Sequence, residues 1–393
     1  MRQSLLAAIA PVETATPERL RSTYAAGRLH VFIVPGHDRD DSGAEFNGVR
    51  EAELTGEVAG HLTEFLRRDG QVSVFTTRDP ATGDYTPLFA SYFTQQAEAV
   101  LSFRVRLVET MIGALRRGAF QTRRGVAHGS ASPRTANRLY AINKWANDQD
   151  IDVIVHLHFN DYGSRPAGRK GEYAGFSVYV PDAQFSNARA SSALADAVFR
   201  RLKTERPVST LPGERAGVIE DQELIALGAN GSLDAAALLI EFGYIYEAPF
   251  TDPAVRGDVM RSLAYQTYAG IREHLDERAD LAPTALLPFP WSGPLSQEPR
   301  SSRAVLALQA ALLHVGFYPP PGMDLAACPL TGVFGSCTAA AVSRFQEAHA
   351  EHVLRPLGLV RGTGQAGTAT LRKLQELYPL AESAGRRQGK AMQ

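Results

Sequence analysis

The chain has 393 residues, 44% of them hydrophobic and 21% charged, with a formal net charge of −1. That length accommodates two or three domains with cores of their own, and the composition is that of an ordinary folded protein rather than a disordered one. Neutralising phosphates needs a basic excess, so nucleic acid is excluded as the main partner, and no apolar run approaches the roughly 20 residues that a membrane-spanning helix requires.

Leu29 to Pro35 is a short apolar run, rich in β-branched and aromatic residues and stopped by Pro35-Gly36, which predicts a buried strand. From Glu51 to Arg68 the residues Leu54, Val58, Leu62, Phe65 and Leu66 fall three and four apart, predicting a helix that Gly70 ends. Val72 to Thr76, Ile151 to His158, Phe176 to Val180 and Ala237 to Glu241 read as further strands, with helical stretches between most of them. Ala264, Tyr268, Ile271 and Leu275 mark a closing helix. Such alternation predicts an α/β fold: a central, mostly parallel sheet flanked by helices, with functional residues at strand ends.

Within the long stretch from Pro80 to Asn137, Leu88 to Leu115 carries Phe89, Phe93, Val100, Phe103, Leu107 and Met111 at near-helical spacing, followed by Arg116, Arg117, Arg123 and Arg124. This is either an added helix packed on the sheet or a lid that regulates access to a site. Between Leu281 and Arg300 the chain is Pro-rich, as suits an extended linker. Beyond it, Val305 to Val315, Thr338 to His349 and Thr368 to Leu377 are amphipathic and predict a small three-helix module. The two cysteines, Cys328 and Cys337, are too few for a structural zinc site and form either a disulfide or two free thiols.

The chemistry concentrates in two strings. Val34-Pro35-Gly36-His37-Asp38 and Leu238-Leu239-Ile240-Glu241-Phe242-Gly243 each place a metal-competent or proton-transferring side chain where an apolar run ends. With Glu51 and His158 they look like a zinc hydrolase site, which needs three protein ligands, an open position for water and a carboxylate free to take a proton. Singly, each residue has a plainer reading. His37 is a strand-end histidine satisfied by backbone, and Glu51 is a first-turn glutamate that the helix dipole stabilises by ~0.5 kcal/mol. Glu241, directly after Ala-Leu-Leu-Ile, would be expensive to bury unpaired, which places it at a solvated strand tip or in a functional site. Asp38, Asp40, Ser42 and Gly43 imitate a calcium loop, but its twelfth position is Val49 where an acid is required. Gly362, Gly364 and Gly367 form a GxGxxG string too close to the chain end for a dinucleotide fold, and read as the turn before the last helix.

Residues Leu29 to Leu275 resemble the zinc-dependent N-acetylmuramoyl-L-alanine amidases of bacterial cell walls. The resemblance is carried by Gly36-His37, Asp41-Ser42-Gly43-Ala44, Glu51, Thr77-Arg78-Asp79, His156-Leu157-His158-Phe159-Asn160 and Glu241-Phe242-Gly243-Tyr244, in the order that family has them. It implies that His37, Glu51 and His158 ligate Zn2+ and that Glu241 is the general base and later the proton donor to the leaving amine. It also implies that Arg78 and Asn160 support the geometry of the site. Two departures stand out: Asp38 replaces a glycine, and His156 replaces a serine. Because side chains alternate along a strand, His156 shares a face with His158 and could approach the metal. Ser301 to Leu377 resemble a peptidoglycan-binding module, through Leu308-Gln309, Gly316-Phe317-Tyr318-Pro319, Thr331-Gly332-Val333-Phe334-Gly335, Thr338, Ala341-Val342 and Phe345-Gln346, with Pro320 to Leu330 as a longer insert than usual.

The implied organisation is an N-terminal segment (1–28), a catalytic domain (29–278) with a helical insertion (80–137), a Pro-rich linker (279–300), a wall-binding domain (301–380) and a tail (381–393). The implied function is hydrolysis of the amide between N-acetylmuramic acid and L-alanine in peptidoglycan, outside the cytoplasm. A zinc peptidase of the stem peptide and a non-catalytic wall binder are the rivals. Leu5 to Ala10 fall short of the usual apolar core of a secretory leader, so the expectation is that a leader has been trimmed or that export takes another route.

Overall fold

A computed structural model describes residues 13–163, 165–227 and 231–379. The stretch Leu5 to Ala10 and the tail 381–393 lie outside the described residues. The chain divides into two compact units, one of residues 1–204, 208–247 and 263–279, the other of 205–207, 248–262 and 280–393.

The first unit begins with helix α1 (Pro17–Ala25), which the sequence reading did not anticipate although Thr16 caps it and Pro17 opens it. Strand β1 (Leu29–Pro35) follows, then a two-residue hairpin, β2 (Glu45–Phe46) and β3 (Val49–Arg50), then α2 (Glu51–Arg67) and β4 (Val72–Thr76). Next come α3 (Pro87–Gln95), α4 (Ala97–Arg116), α5 (Pro133–Asp148), β5 (Val153–Asn160), β6 (Ser177–Pro181), α6 (Ala188–Lys203), β7 (Val218–Asp221) and β8 (Ala236–Tyr244). Helices α7 (Ala248–Thr251) and α8 (Arg256–Leu275) complete the order before the C-terminal region.

The six-stranded sheet runs β4-β1-β5-β8-β6-β7. All neighbours are parallel except β6 and β8. β1, β5, β6 and β8 are almost wholly buried, which is why they read as continuous apolar runs rather than alternating ones. Phe32, Val34, Ile154, Tyr179, Ala237 and Leu239 form one face of the core with Phe89 of α3 and Ile142 and Trp145 of α5. Helix α2 packs on β1, β4 and β5, and its Phe65 meets Tyr265 and Tyr268 of α8 at ring distances of 5.4 and 5.7 Å.

The stretch from Leu88 to Leu115 is two helices, not one. Backbone at Gln96 leaves the helical region at φ −104°, ψ 13°, and α4 restarts there. No glycine or proline marks the break, so periodicity alone runs across it. Phe89 packs on the sheet, while α4 lies on α5 through Val100, Phe103, Leu107, Ala136 and Tyr140.

In the second unit, strands β9 (Glu298–Ser301) and β10 (Val333–Phe334) pair antiparallel beside helices α9 (Arg303–His314), α10 (Ser336–Ala348), α11 (Ala350–Val353) and α12 (Thr368–Leu377). A repeat lies inside it: Thr331-Gly332-Val333-Phe334-Gly335-Ser336-Cys337-Thr338 matches Thr363-Gly364-Gln365-Ala366-Gly367-Thr368-Ala369-Thr370 in the form TGxxGxxT. Each copy is clasped by a buried glutamine. Gln309 accepts from the N–H groups of Thr331 and Gly332 and donates to Val333 O and Thr338 Oγ1, and Gln346 makes the same four bonds to Thr363, Gly364, Gln365 O and Thr370 Oγ1. The GxGxxG string is therefore the second copy of this clasp, with Gly367 capping α12. In the Pro-rich segment, Trp291 is buried and donates to Ala304 O at 2.9 Å, and Leu295 pairs with Ala366. Among the described residues, no helix is long and apolar enough to cross a membrane.

Cys328 and Cys337 form a disulfide with Cα atoms 6.0 Å apart. The loop it closes is short, so on chain-entropy grounds it contributes about 2–3 kcal/mol. Intact mass after alkylation without reduction should show no added label, and two labels after reduction; two labels in the unreduced protein would contradict the bridge.

Candidate active site

Four separate pieces of backbone bring the predicted residues together. His158 lies near the end of β5 and Glu241 in β8, and the two are direct partners in the β5–β8 register. His37 follows β1, and Glu51 opens α2 behind the β2–β3 hairpin. His37, Glu51 and His158 offer ligand atoms that all lie within 4.8 Å of one another. His156 is not in this cluster. It is buried in β5 with neither ring nitrogen hydrogen-bonded, and burial, helped by the charge of His158, holds its pKa down to about 3.

Glu51 is the centre of the cluster. One carboxylate oxygen accepts from His158 Nδ1 at 3.0 Å and from the N–H of Phe159 at 3.1 Å. The other accepts from the N–H of Ala44 at 2.9 Å and lies 3.3 Å from His37 Nε2. Burial works against its charge, yet the His158 hydrogen bond and the charges of His37 and His158 outweigh burial and hold the carboxyl below the usual range. Its place in the first turn of α2 adds the favourable end of the helix dipole.

The loop that carries His37 is packed to the limit of backbone approach. A Cβ on Gly36 would lie 2.3 Å from the His158 ring, and one on Gly43 would lie 2.5 Å from Glu51 Oε2. His37 itself has φ +61°, a left-handed backbone that costs a non-glycine residue about 1 kcal/mol or more. Beneath the loop, the guanidinium of buried Arg78 donates to Gly36 O at 3.2 Å, to Ala52 O at 3.1 Å and to Thr55 Oγ1 at 2.8 Å, and Thr55 in turn donates to Gly36 O at 2.8 Å. Arg78 thus ties the end of β1 to the first turn of α2.

Glu241 is half-buried, and its Oε2, shut off from solvent, has no hydrogen-bond partner. Burial, then the charges of Glu51 and Glu214, push its pKa well above the ordinary carboxylate value. Glu214 was not singled out in the sequence. It lies in a 3-10 turn, Pro212–Glu214, and accepts from Tyr179 OH at 2.5 Å, Asn160 Nδ2 at 3.1 Å and Tyr244 OH at 3.3 Å. Asn160 is therefore occupied with a second buried carboxylate beside the site. No local pattern marks Glu214, whose partners are 30, 35 and 54 residues away. Of the three acids, Glu51 and Glu214 have their donors supplied; Glu241 keeps a free oxygen. The arrangement offers two imidazoles and a carboxylate to a cation, and a separate proton-accepting carboxyl next to them.

Residues 31–273 match the family model for N-acetylmuramoyl-L-alanine amidase, and residues 301–374 match that of a peptidoglycan-binding domain. No curated protein matches the sequence. Among solved structures, an N-acetylmuramoyl-L-alanine amidase from Clostridium difficile 630 is 17% identical, covering 64% of this chain and 98% of that one at a TM-score of 0.39. Ami1 from Mycobacterium smegmatis, an amidase of the same name, is 17% identical over 63% of this chain and 96% of that one at 0.40. The CwlD amidase from Clostridioides difficile, solved in complex with the GerS lipoprotein, is 14% identical over 63% of this chain and 98% of that one at 0.42. The family match, which spans more than half of the sequence, decides the matter: this chain belongs to the N-acetylmuramoyl-L-alanine amidase family and carries a C-terminal peptidoglycan-binding domain.

Proposed function

We propose that the chain hydrolyses the amide between the lactyl group of N-acetylmuramic acid and L-alanine in peptidoglycan, with Zn2+ held by His37, Glu51 and His158 and with Glu241 moving the proton. In this reading 29–278 is the catalytic domain and 301–380 delivers it to the polymer, outside the cytoplasm. The observation that carries the reading is the meeting of three ligating side chains beside a half-buried carboxyl with an unpartnered oxygen.

The residues fit the metal. Two imidazoles and one carboxylate are a donor set that zinc accepts while leaving a position open, and the Glu51 carboxylate lies 3.3 and 3.0 Å from a ring nitrogen of His37 and His158. When bound, zinc supplies Lewis-acid polarisation of the scissile carbonyl and a water acidified towards neutrality. The protein's own share is proton transfer and order. Glu241 accepts a proton from the attacking water as its oxygen bonds to the carbonyl carbon, then gives that proton to the nitrogen as the C–N bond breaks. Its elevated pKa lets it keep the proton between those two steps. Arg78 fixes Gly36, and with it the approach of His37; the donors on Glu214 keep that second carboxylate from competing for the same proton.

Purified protein should hold close to one zinc per chain, removable by chelation and restorable. Glu51→Ala should lose the metal, and full zinc content with full activity in that variant would refute the ligand set. Glu241→Gln should keep zinc and fold while the rate drops about 10²–10⁴-fold, the usual worth of general acid–base catalysis; wild-type turnover would remove Glu241 from the mechanism. Digested peptidoglycan should yield intact stem peptides with a new N-terminal alanine and glycan whose muramic acid keeps its lactyl carboxylate. Mass spectrometry that finds muramic acid still bound to alanine in every product would hand the function to a peptidase of the stem.

A further inference from the structure

We propose that Asp38 and Arg138 form a brace through which helices α3 and α5 hold His37 in its ligating conformation, so that these helices act as a support of the metal site rather than a lid over it. The inference rests on the zinc reading above and extends it to residues that reading does not use.

His37 adopts φ +61°, a conformation that an ordinary residue keeps only where its surroundings enforce it. The enforcing contacts come from the next residue. Asp38 is buried; its Oδ1 accepts from the N–H groups of Asp40 at 2.8 Å and Asp41 at 3.0 Å, and its own N–H donates to Asp41 O at 2.9 Å, closing a tight turn directly after His37. Its Oδ2 faces away from the loop, accepting from Tyr85 OH at 3.0 Å and pairing with the Arg138 guanidinium. Arg138, in the second turn of α5, is held over the rings of Tyr85 at 5.0 Å and Phe93, in α3, at 5.8 Å. One turn earlier, Thr135 donates to Asp41 Oδ2 at 2.7 Å, and the other oxygen of Asp41 lies 3.5 Å from His37 Nδ1. The exposed Arg134–Asp40 pair completes the row.

The energetics separate these contacts. Arg134 and Asp40 are each more than half exposed, and screened pairs of that kind contribute little. Asp38 is nearly enclosed, its side chain 9% exposed, and Arg138 is 20% exposed. Removing Arg138 leaves the enclosed Asp38 carboxylate without its counter-charge, removing Asp38 leaves Arg138 only the exposed Asp40 at 3.8 Å, and in either case the turn that sets His37 relaxes. A geometric support of this sort acts on metal affinity through the ligand it orients.

Zinc dissociation constants from chelator competition, and the visible spectrum of the Co2+-substituted protein, test this on the full chain. Asp38→Asn and Arg138→Gln should each weaken zinc about 10–100-fold and alter the cobalt spectrum, a range typical for partners that orient a ligand. The double variant should be no weaker than either single one, because both remove the same contact. Arg138→Lys, keeping the charge, should recover part of the loss, and it decides the matter if Asp38→Asn fails to fold. Arg134→Gln should bind as the wild type does. Folded Asp38→Asn and Arg138→Gln proteins with wild-type affinity and spectrum would overturn the brace and leave the zinc reading standing, as would losses that simply add in the double variant. A wild-type protein without zinc affinity overturns both.

Discussion

A buried anion organises the catalytic end of this fold. The Glu51 carboxylate gathers two backbone N–H groups and two imidazoles, drawn from the loop after β1 and the end of β5. Burying such a charge alone would be prohibitive, so every element that reaches it must arrive with a donor. This explains the glycines at 36 and 43, where any side chain would collide with the cluster, and it explains why α2 starts at Glu51: the open N–H groups of a first turn favour an anion there. The position of the helix, the shape of the loop and the placing of both histidines are consequences of one electrostatic requirement.

The same requirement sorts three neighbouring acids into different environments. Glu51 is balanced by imidazoles and Glu214 by two phenols and an amide, whereas Glu241 has an oxygen that nothing in the protein satisfies. Burial and two neighbouring anions raise its pKa above the ordinary carboxylate value. Proton-transfer capacity thus arises from unequal provision of donors among residues of one chemical type, with the sheet register setting Glu241 beside His158.

How much of this could be read beforehand follows the range of the interactions. β1, β5, β6 and β8 are runs whose burial is written in consecutive residues, and α2 is written in a three-and-four spacing, so both were legible. β7 is four residues with half its side chains outward, which leaves little local signal. His37, Glu51, His158 and Glu241 were found because short strings around them match a known family. Glu214 and Arg138 belong to no such string. Their partners are fixed by packing between segments 30 to 100 residues apart, and nothing near them in sequence encodes that.

The departure at residue 38 depends on partners supplied by distant segments of the chain. An aspartate where the family resemblance expects glycine would be a poor exchange in isolation, since a buried carboxylate follows an already strained residue. It becomes favourable once Tyr85 and Arg138 supply the missing donors, and those donors exist only because α3 and α5 pack on the sheet through Phe89, Ile142 and Trp145. The acid in the loop and the helices beyond it are therefore mutually dependent. Asp38 without the helices is an unpaired buried charge, and Arg138 without Asp38 keeps only the exposed Asp40, 3.8 Å away, as its counter-charge. The acid at residue 38 and the helices that partner it are intelligible together and neither is intelligible alone.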